Sequence, residues 1–166
     1  MIIIAHRGNL HGISPSRENE PDCIEEAIRA GFHVEIDLRV YPTIDGGYRY
    51  CLGHDEPRYD VTHEWLKNDK LFIHCKNVEA LLYCNYYGHK HYFSHDKDDV
   101  TLTSSGYFWT YPDNRIQLTR QSIPVVYHRR DPIWDYRALI RCAGVCTDDP
   151  FYYQSILEVA DPDIYS

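Results

Sequence analysis

The sequence predicts an α/β fold, a compact TIM-barrel-like (β/α) barrel in which several helices are shortened or missing. Three observations predict it. Short apolar runs alternate with turn signals and helical stretches, giving about eight strands able to face a common core. The polar residues that are hardest to place structurally fall at the ends of those strands, where parallel barrels build active sites. Finally, 166 residues suffice for one domain spanning 1–166, but a full (β/α)8 barrel takes at least about 200. An open α/β sheet is the alternative architecture.

The elements are read in chain order. Met1 to Ala5 is an apolar run with the character of a buried strand. Pro21 to Gly31 carries Ile24, Ala27 and Ile28 at helical spacing and stops at glycine. His33 to Tyr41 alternates, with Val34, Ile36, Leu38 and Val40 on one face and His33, Glu35, Asp37 and Arg39 on the other. Asp45-Gly46-Gly47 turns the chain into a returning strand, Tyr48 to Leu52. Lys70 to Cys75 is a strand, followed by a helix from Val78 to about Tyr87 that ends at Gly88. Further strands are expected at His91–His95, Tyr107–Tyr111, Ile116–Leu118, Ile123–His128 and Val145–Thr147, with helices over Ile133–Cys142 and Pro150–Val159.

Charge and composition exclude some functions. The chain carries 17 basic and 25 acidic residues, a net charge of −8 at pH 7. An acidic surface repels phosphate backbones, which argues against nucleic acid as a partner. A phosphate ligand would then need a local cation. No apolar run approaches the roughly 20 residues of a membrane span, and the apolar start is too short for a signal peptide. A cytoplasmic location is the expectation. The six cysteines show no paired spacing of a structural zinc site and are read as reduced and mostly buried.

The chemistry-bearing residues cluster at strand ends. His6-Arg7-Gly8 follows the first strand, Glu35 and Asp37 share a face of the second, and Gly53-His54-Asp55 follows the hairpin. His74 and Lys76 end one later strand, His95 another, and Thr147-Asp148 the last. Residues i and i+2 on a strand point the same way, so Glu35 and Asp37 can grip one ion. The competing reading is a polar strand face in solvent, but two inward carboxylates without a cation would be costly.

His6-Arg7-Gly8, Glu18-Asn19-Glu20, Glu35-Ile36-Asp37 and Gly53-His54-Asp55 together resemble, in order and spacing, the signature of the glycerophosphodiester phosphodiesterase family. Ile73-His74-Cys75-Lys76 and Gly144-Val145-Cys146-Thr147-Asp148-Asp149-Pro150 are similar to later family strands. The resemblance implies a TIM barrel that hydrolyses a small-molecule glycerophosphodiester to an alcohol and glycerol phosphate. It implies His6 and His54 as the catalytic acid–base pair, which suits a group with an unperturbed pKa near 6.5. It implies Glu35 and Asp37 as ligands of one divalent metal ion, Mg2+ or Ca2+ by their hard oxygens. His74 stands where the family has a third carboxylate; an imidazole there tilts preference toward Mn2+, Zn2+ or a more hydrated Mg2+, or else withdraws the position from the metal.

Lys76 and the Glu18–Asn19 pair follow from the same resemblance; the other positions are read from the residues themselves. Lys76 is expected to pair with a phosphate oxygen. Arg7 is expected to hold phosphate, or to form a salt bridge with a carboxylate. Glu18 and Asn19 match a pair that orients the site, although both also suit a helix start. His95 and Trp109 are candidate substrate contacts, whereas Asp96–Asp99 reads as a solvated loop. His128-Arg129-Arg130 is a surface charge cluster or a head-group contact. The layout also resembles the sphingomyelinase D and phosphatidylinositol phospholipase C branches, so a lyase forming a cyclic phosphate is an alternative. A phosphodiester-binding module with weakened catalysis is another. Oligomeric state is not legible.

Overall fold

The computed structural model describes residues 1–112, 116–127 and 135–160. In chain order the elements are β1 (Ile2–His6), α1 (Pro21–Arg29), β2 (His33–Pro42), β3 (Tyr48–Leu52), β4 (Tyr59–Val61), β5 (Leu71–Cys75), α2 (Val78–Tyr87), β6 (His91–Phe93), β7 (Val100–Leu102), β8 (Phe108–Thr110), β9 (Ser122–Val126), α3 (Tyr136–Leu139), β10 (Gly144–Thr147) and α4 (Pro150–Ala160).

All ten strands belong to one sheet, and its parallel part runs β6-β5-β2-β1-β10-β9-β8. The ends of that run approach each other: Phe93 of β6 stacks on Trp109 of β8 at 4.5 Å, and Ser104 N donates to Tyr92 O at 2.9 Å. Among the described residues no ladder joins β6 to β8, so the sheet is not closed. The expected α/β parallel sheet is present and curls as a barrel does, but its closure is not shown, because the seam between β6 and β8 is open. Its cause is local. The hairpin partner β7 pairs antiparallel with Phe108–Thr110, occupying the edge of β8 that β6 would need.

Burial explains the alternation along the strands. Ile3 and Ala5 pack with Val34, Ile36, Leu38, Ile73, Ile24 and Ala27 between sheet and helices. Ile4, Phe72, Phe93, Trp109, Ile123, Val125 and Cys146 form a second cluster on the concave side. Each such aliphatic or aromatic side chain contributes roughly 1.5–3 kcal/mol on burial. In β2 both faces are buried, polar as well as apolar, which a solvent-facing strand would not show.

The helices end as their residues dictate. The Asn77 side chain accepts from Ala80 N to cap α2, and Gly88 closes that helix in the left-handed conformation. Two short strands, β4 and β7, carry no alternation that reveals them. Ile116–Leu118 forms no strand, because β9 already has β8 and β10 on its two edges. The helix expected over Ile133–Cys142 is confined to Tyr136–Leu139, and residues 133 and 134 lie outside the described ones. All six cysteines are free and buried. No helix among the described residues is long and apolar enough to cross a membrane.

Candidate active site

Strand register assembles the site. β1 and β2 set His6 opposite Glu35, and β2 and β5 set Asp37 opposite His74. β1 stops at His6, and β3 takes over the same edge of β2 further along, where Gly53 N donates to Asp37 O at 3.0 Å. The hairpin therefore delivers His54 beside the carboxyl end of β1 and the Glu35–Asp37 stretch of β2. Gly53 is required for this. Its φ is +147°, and a Cβ there would overlap the Glu56 carbonyl oxygen.

Glu35, Asp37 and His74 are buried and present ligand atoms within 4.8 Å of one another. His74 Nδ1 lies 3.1 Å from Asp37 Oδ1 and 3.8 Å from Glu35 Oε1. Asp37 is gripped from behind by Asn19, whose Nδ2 donates to Oδ2 at 2.9 Å and whose Oδ1 accepts from Asp37 N at 2.8 Å. Arg7 Nε sits 3.1 Å from Asp37 Oδ2, and Arg7 Nη1 donates to Glu18 Oε2 at 2.9 Å. Lys76 Nζ stands 3.8 Å from Asp37 Oδ1. Arg7 and Asn19 have φ of 51° and 62°, the only positive values at non-glycine residues among those described. Such strain persists where surrounding contacts enforce it.

The two histidines have matching supports. His6 Nδ1 meets Asp148 Oδ1 at 2.8 Å, and its Nε2 is 3.9 Å from Glu35 Oε2. Asn9 Nδ2 donates to the same Asp148 oxygen at 2.8 Å and to Glu18 Oε1 at 3.2 Å. His54 Nδ1 meets Asp55 Oδ1 at 2.7 Å. Both histidines line one cavity with Arg7, Glu35, His74, His95, Trp109 and Tyr127. His95 stacks on His74 at 4.7 Å, and Tyr127 packs on His6 at 5.2 Å.

Electrostatics single out the two carboxylates of β2. Burial favours the neutral form of Asp37, but the His74 imidazole and the Arg7 guanidinium outweigh it and hold its pKa well below the carboxylate range. Glu35 goes the other way, raised by burial and by the charge of Asp37 beside it. For His6, burial alone would lower the pKa; the bond to Asp148 and the Glu35 charge prevail and raise it. His54 is lowered by burial, and His95 is brought down to about 4 by burial and by His74.

A divalent cation fits this donor set. Asp37 Oδ1 is buried and makes no well-aligned hydrogen bond, though His74 Nδ1 and Lys76 Nζ approach it, and a cation would let Glu35 ionise beside Asp37. Glu35, Asp37 and His74 could hold it.

A solved structure is similar to this chain in fold. The crystal structure of a glycerophosphodiester phosphodiesterase from Thermotoga maritima matches with a TM-score of 0.54 and 20% identity, over 94% of this chain and 98% of that one. This chain shares its fold. No protein-family model matches, and no curated protein matches in sequence. On the glycerophosphodiester phosphodiesterase fold, the strand ends that carry His6, Glu35, Asp37 and His74 meet at one mouth.

Of the residues singled out in the sequence, His6, Arg7, Glu35, His54, His74, His95 and Trp109 line this cavity, and Asp37, Lys76, Glu18 and Asn19 stand beside them. Glu18 and Asn19 stand behind Arg7 and Asp37, and Trp109 is buried against Phe93 while lining the cavity. Arg7 is in salt bridges with Glu18 and Asp37. His128, Arg129 and Arg130 lie outside the described residues. Sequence reading missed Asn9 and Tyr127 and gave Asp148 a strand-end position without a role. Asp148 alone had a signal, the Thr-Asp at the end of a strand.

Proposed function

We propose that this chain is a metal-dependent phosphodiesterase that hydrolyses a small glycerophosphodiester to an alcohol and glycerol phosphate by two-histidine acid–base catalysis. The observation that carries the reading is the meeting of His6, His54, Glu35 and His74 around one cavity, with each histidine held at Nδ1 by a carboxylate.

That arrangement leaves the Nε2 atoms for substrate. Asp148 and Asp55 accept from the Nδ1 side and fix ring orientation and tautomer. One imidazole takes the proton of the attacking hydroxyl, and the other gives a proton to the leaving alkoxide. Glu35, Asp37 and His74 would hold the divalent ion, which would supply charge neutralisation for the phosphodiester. Arg7 and Lys76 add donors for phosphate oxygens at the same mouth. Asn19 keeps Asp37 turned toward the cluster.

Chelation tests this. EDTA treatment is expected to abolish release of glycerol phosphate from a glycerophosphodiester, and added Mn2+ or Mg2+ to restore it. Undiminished turnover in EDTA contradicts the reading. A cyclic phosphate that persists as product would place the enzyme with the cyclising lyases instead.

A further inference from the structure

Arg39 occupies an unusual position for a guanidinium in an acidic protein. It follows Glu35 and Asp37 at i+4 and i+2 along β2, so its side chain leaves the strand on the same face as both carboxylates. Among the described residues no carboxylate forms an ion pair with it, although the chain has 25 acidic residues. Its Nη2 instead donates to two backbone carbonyls, His54 O at 2.8 Å and Asp55 O at 3.1 Å. Its Nε is buried with no partner.

The loop that receives these bonds has little else to hold it. Gly53 N bonds Asp37 O at one end, and Arg58 N bonds Leu52 O at the other. Between them Asp55, Glu56 and Pro57 are exposed, and His54 is half-buried. Among the described residues, Arg39 makes the only hydrogen bonds that tie the His54 and Asp55 backbone to the sheet. Gly53, lacking a Cβ, does nothing to stiffen the approach.

The geometry points to Arg39 as the positioning residue for His54, fixing that imidazole relative to the β2 carboxylates. One strand then carries Glu35 and Asp37 and also braces the loop that brings the histidine to them. Arginine suits the task because its planar fork carries several donors in fixed directions, whereas a lysine is a mobile point donor. Misplacement of about 1 Å in a reacting group can cost roughly 10²-fold in rate.

The catalytic part of this inference rests on the phosphodiesterase reading, and the placement part does not, so two readouts are needed. The first is spectroscopic: amide order parameters of residues 53–58 and the His54 imidazole resonances, in wild type, Arg39→Met and Arg39→Lys. His54 and Asp55 amides are expected to fall from about 0.85 toward 0.6 in Arg39→Met, with His6 signals and Mn2+ affinity unchanged. The second is kinetic. Arg39→Met is expected to lower kcat about 10- to 100-fold with little change in KM, Arg39→Lys to recover part of it, and Arg39→Met to cost nothing further in a His54→Ala background. Unchanged order at His54 in both variants overturns the inference whether or not the chain turns over substrate. Full additivity of Arg39→Met with His54→Ala overturns it as well. An absence of wild-type turnover alone would count against the phosphodiesterase reading, leaving the spectroscopic result to decide the placement of His54.

Discussion

His6 and Asp148 meet at 2.8 Å across 142 residues of sequence, joining the first strand to the last at the mouth of the sheet. The contact is buried, and Asn9 shares the same Asp148 oxygen. It holds one ring nitrogen of His6 and so decides which nitrogen faces the cavity. Asp148→Asn is expected to lower turnover, by less than the roughly 10²–10⁴-fold of deleting the imidazole itself. It should also bring the His6 pKa down, because the hydrogen bond to the carboxylate helps hold it above its ordinary value. Proton NMR titration of the His6 ring checks this, and an unchanged midpoint would remove Asp148 from the account.

His74 makes metal preference a test of the proposed site. Two carboxylates and an imidazole favour Mn2+ or Zn2+ over Ca2+. Calorimetric titration is expected to give tighter binding for Mn2+ and Zn2+, and His74→Glu is expected to move the preference back toward Ca2+. Asn19→Ala, which frees Asp37 from both of its bonds to that side chain, should weaken the ion about 10- to 100-fold. No saturable heat with any of the three ions would leave Glu35, Asp37 and His74 without the role assigned to them.

How much of this was legible can be judged residue by residue. β1, β2 and β5 stood out because period-two patterning or apolar runs mark buried strands, and their polar ends marked the mouth. β4 and β7 are three-residue strands of mixed polarity, Tyr-Asp-Val and Val-Thr-Leu, whereas the equally short β6 and β8 lie in aromatic stretches that mark them. The open seam could not be read either, because it depends on which strand reaches the edge of β8 first. Glu35, Asp37, His6 and His54 stood in recognisable local motifs. Asn9, Tyr127 and Arg39 did not; their contacts exist only once distant strands align, and nothing adjacent in the chain announces them.

Gly53 offers a test of the hairpin's role. Alanine there must adopt a φ near +147° and displace the Glu56 carbonyl. Gly53→Ala is expected to destabilise the fold by on the order of 1–3 kcal/mol, read as a lower urea midpoint. The same variant should lose turnover more steeply than its stability loss explains, since His54 is the next residue. A midpoint equal to that of wild type would contradict the strain argument.

His91 is expected to contribute to a loss of stability in acid. Its ring is buried, stacked on Phe72 at 4.2 Å with Nδ1 2.7 Å from Ser105 Oγ, and burial with the nearby Lys90 charge brings its pKa down to about 4. The unfolded chain takes up this proton near pH 6.5. Between about pH 6.5 and pH 4 the unfolded state therefore binds more protons, and stability falls as pH falls; above 6.5 the contribution is complete. His91→Gln should flatten this slope in urea midpoints measured across the window. An unchanged slope would show that other groups set the acid limb.

Phosphorus NMR of a glycerophosphodiester incubated with the metal-loaded chain tests the central claim most directly. In wild type the diester resonance is expected to give way to a phosphomonoester or cyclic phosphate. It should persist in His6→Gln and in His54→Gln, both still folded and still binding Mn2+. Wild-type conversion rates in both variants, or an untouched diester in the metal-loaded wild type, would contradict a single centre built from His6, His54 and the Glu35–Asp37–His74 cluster.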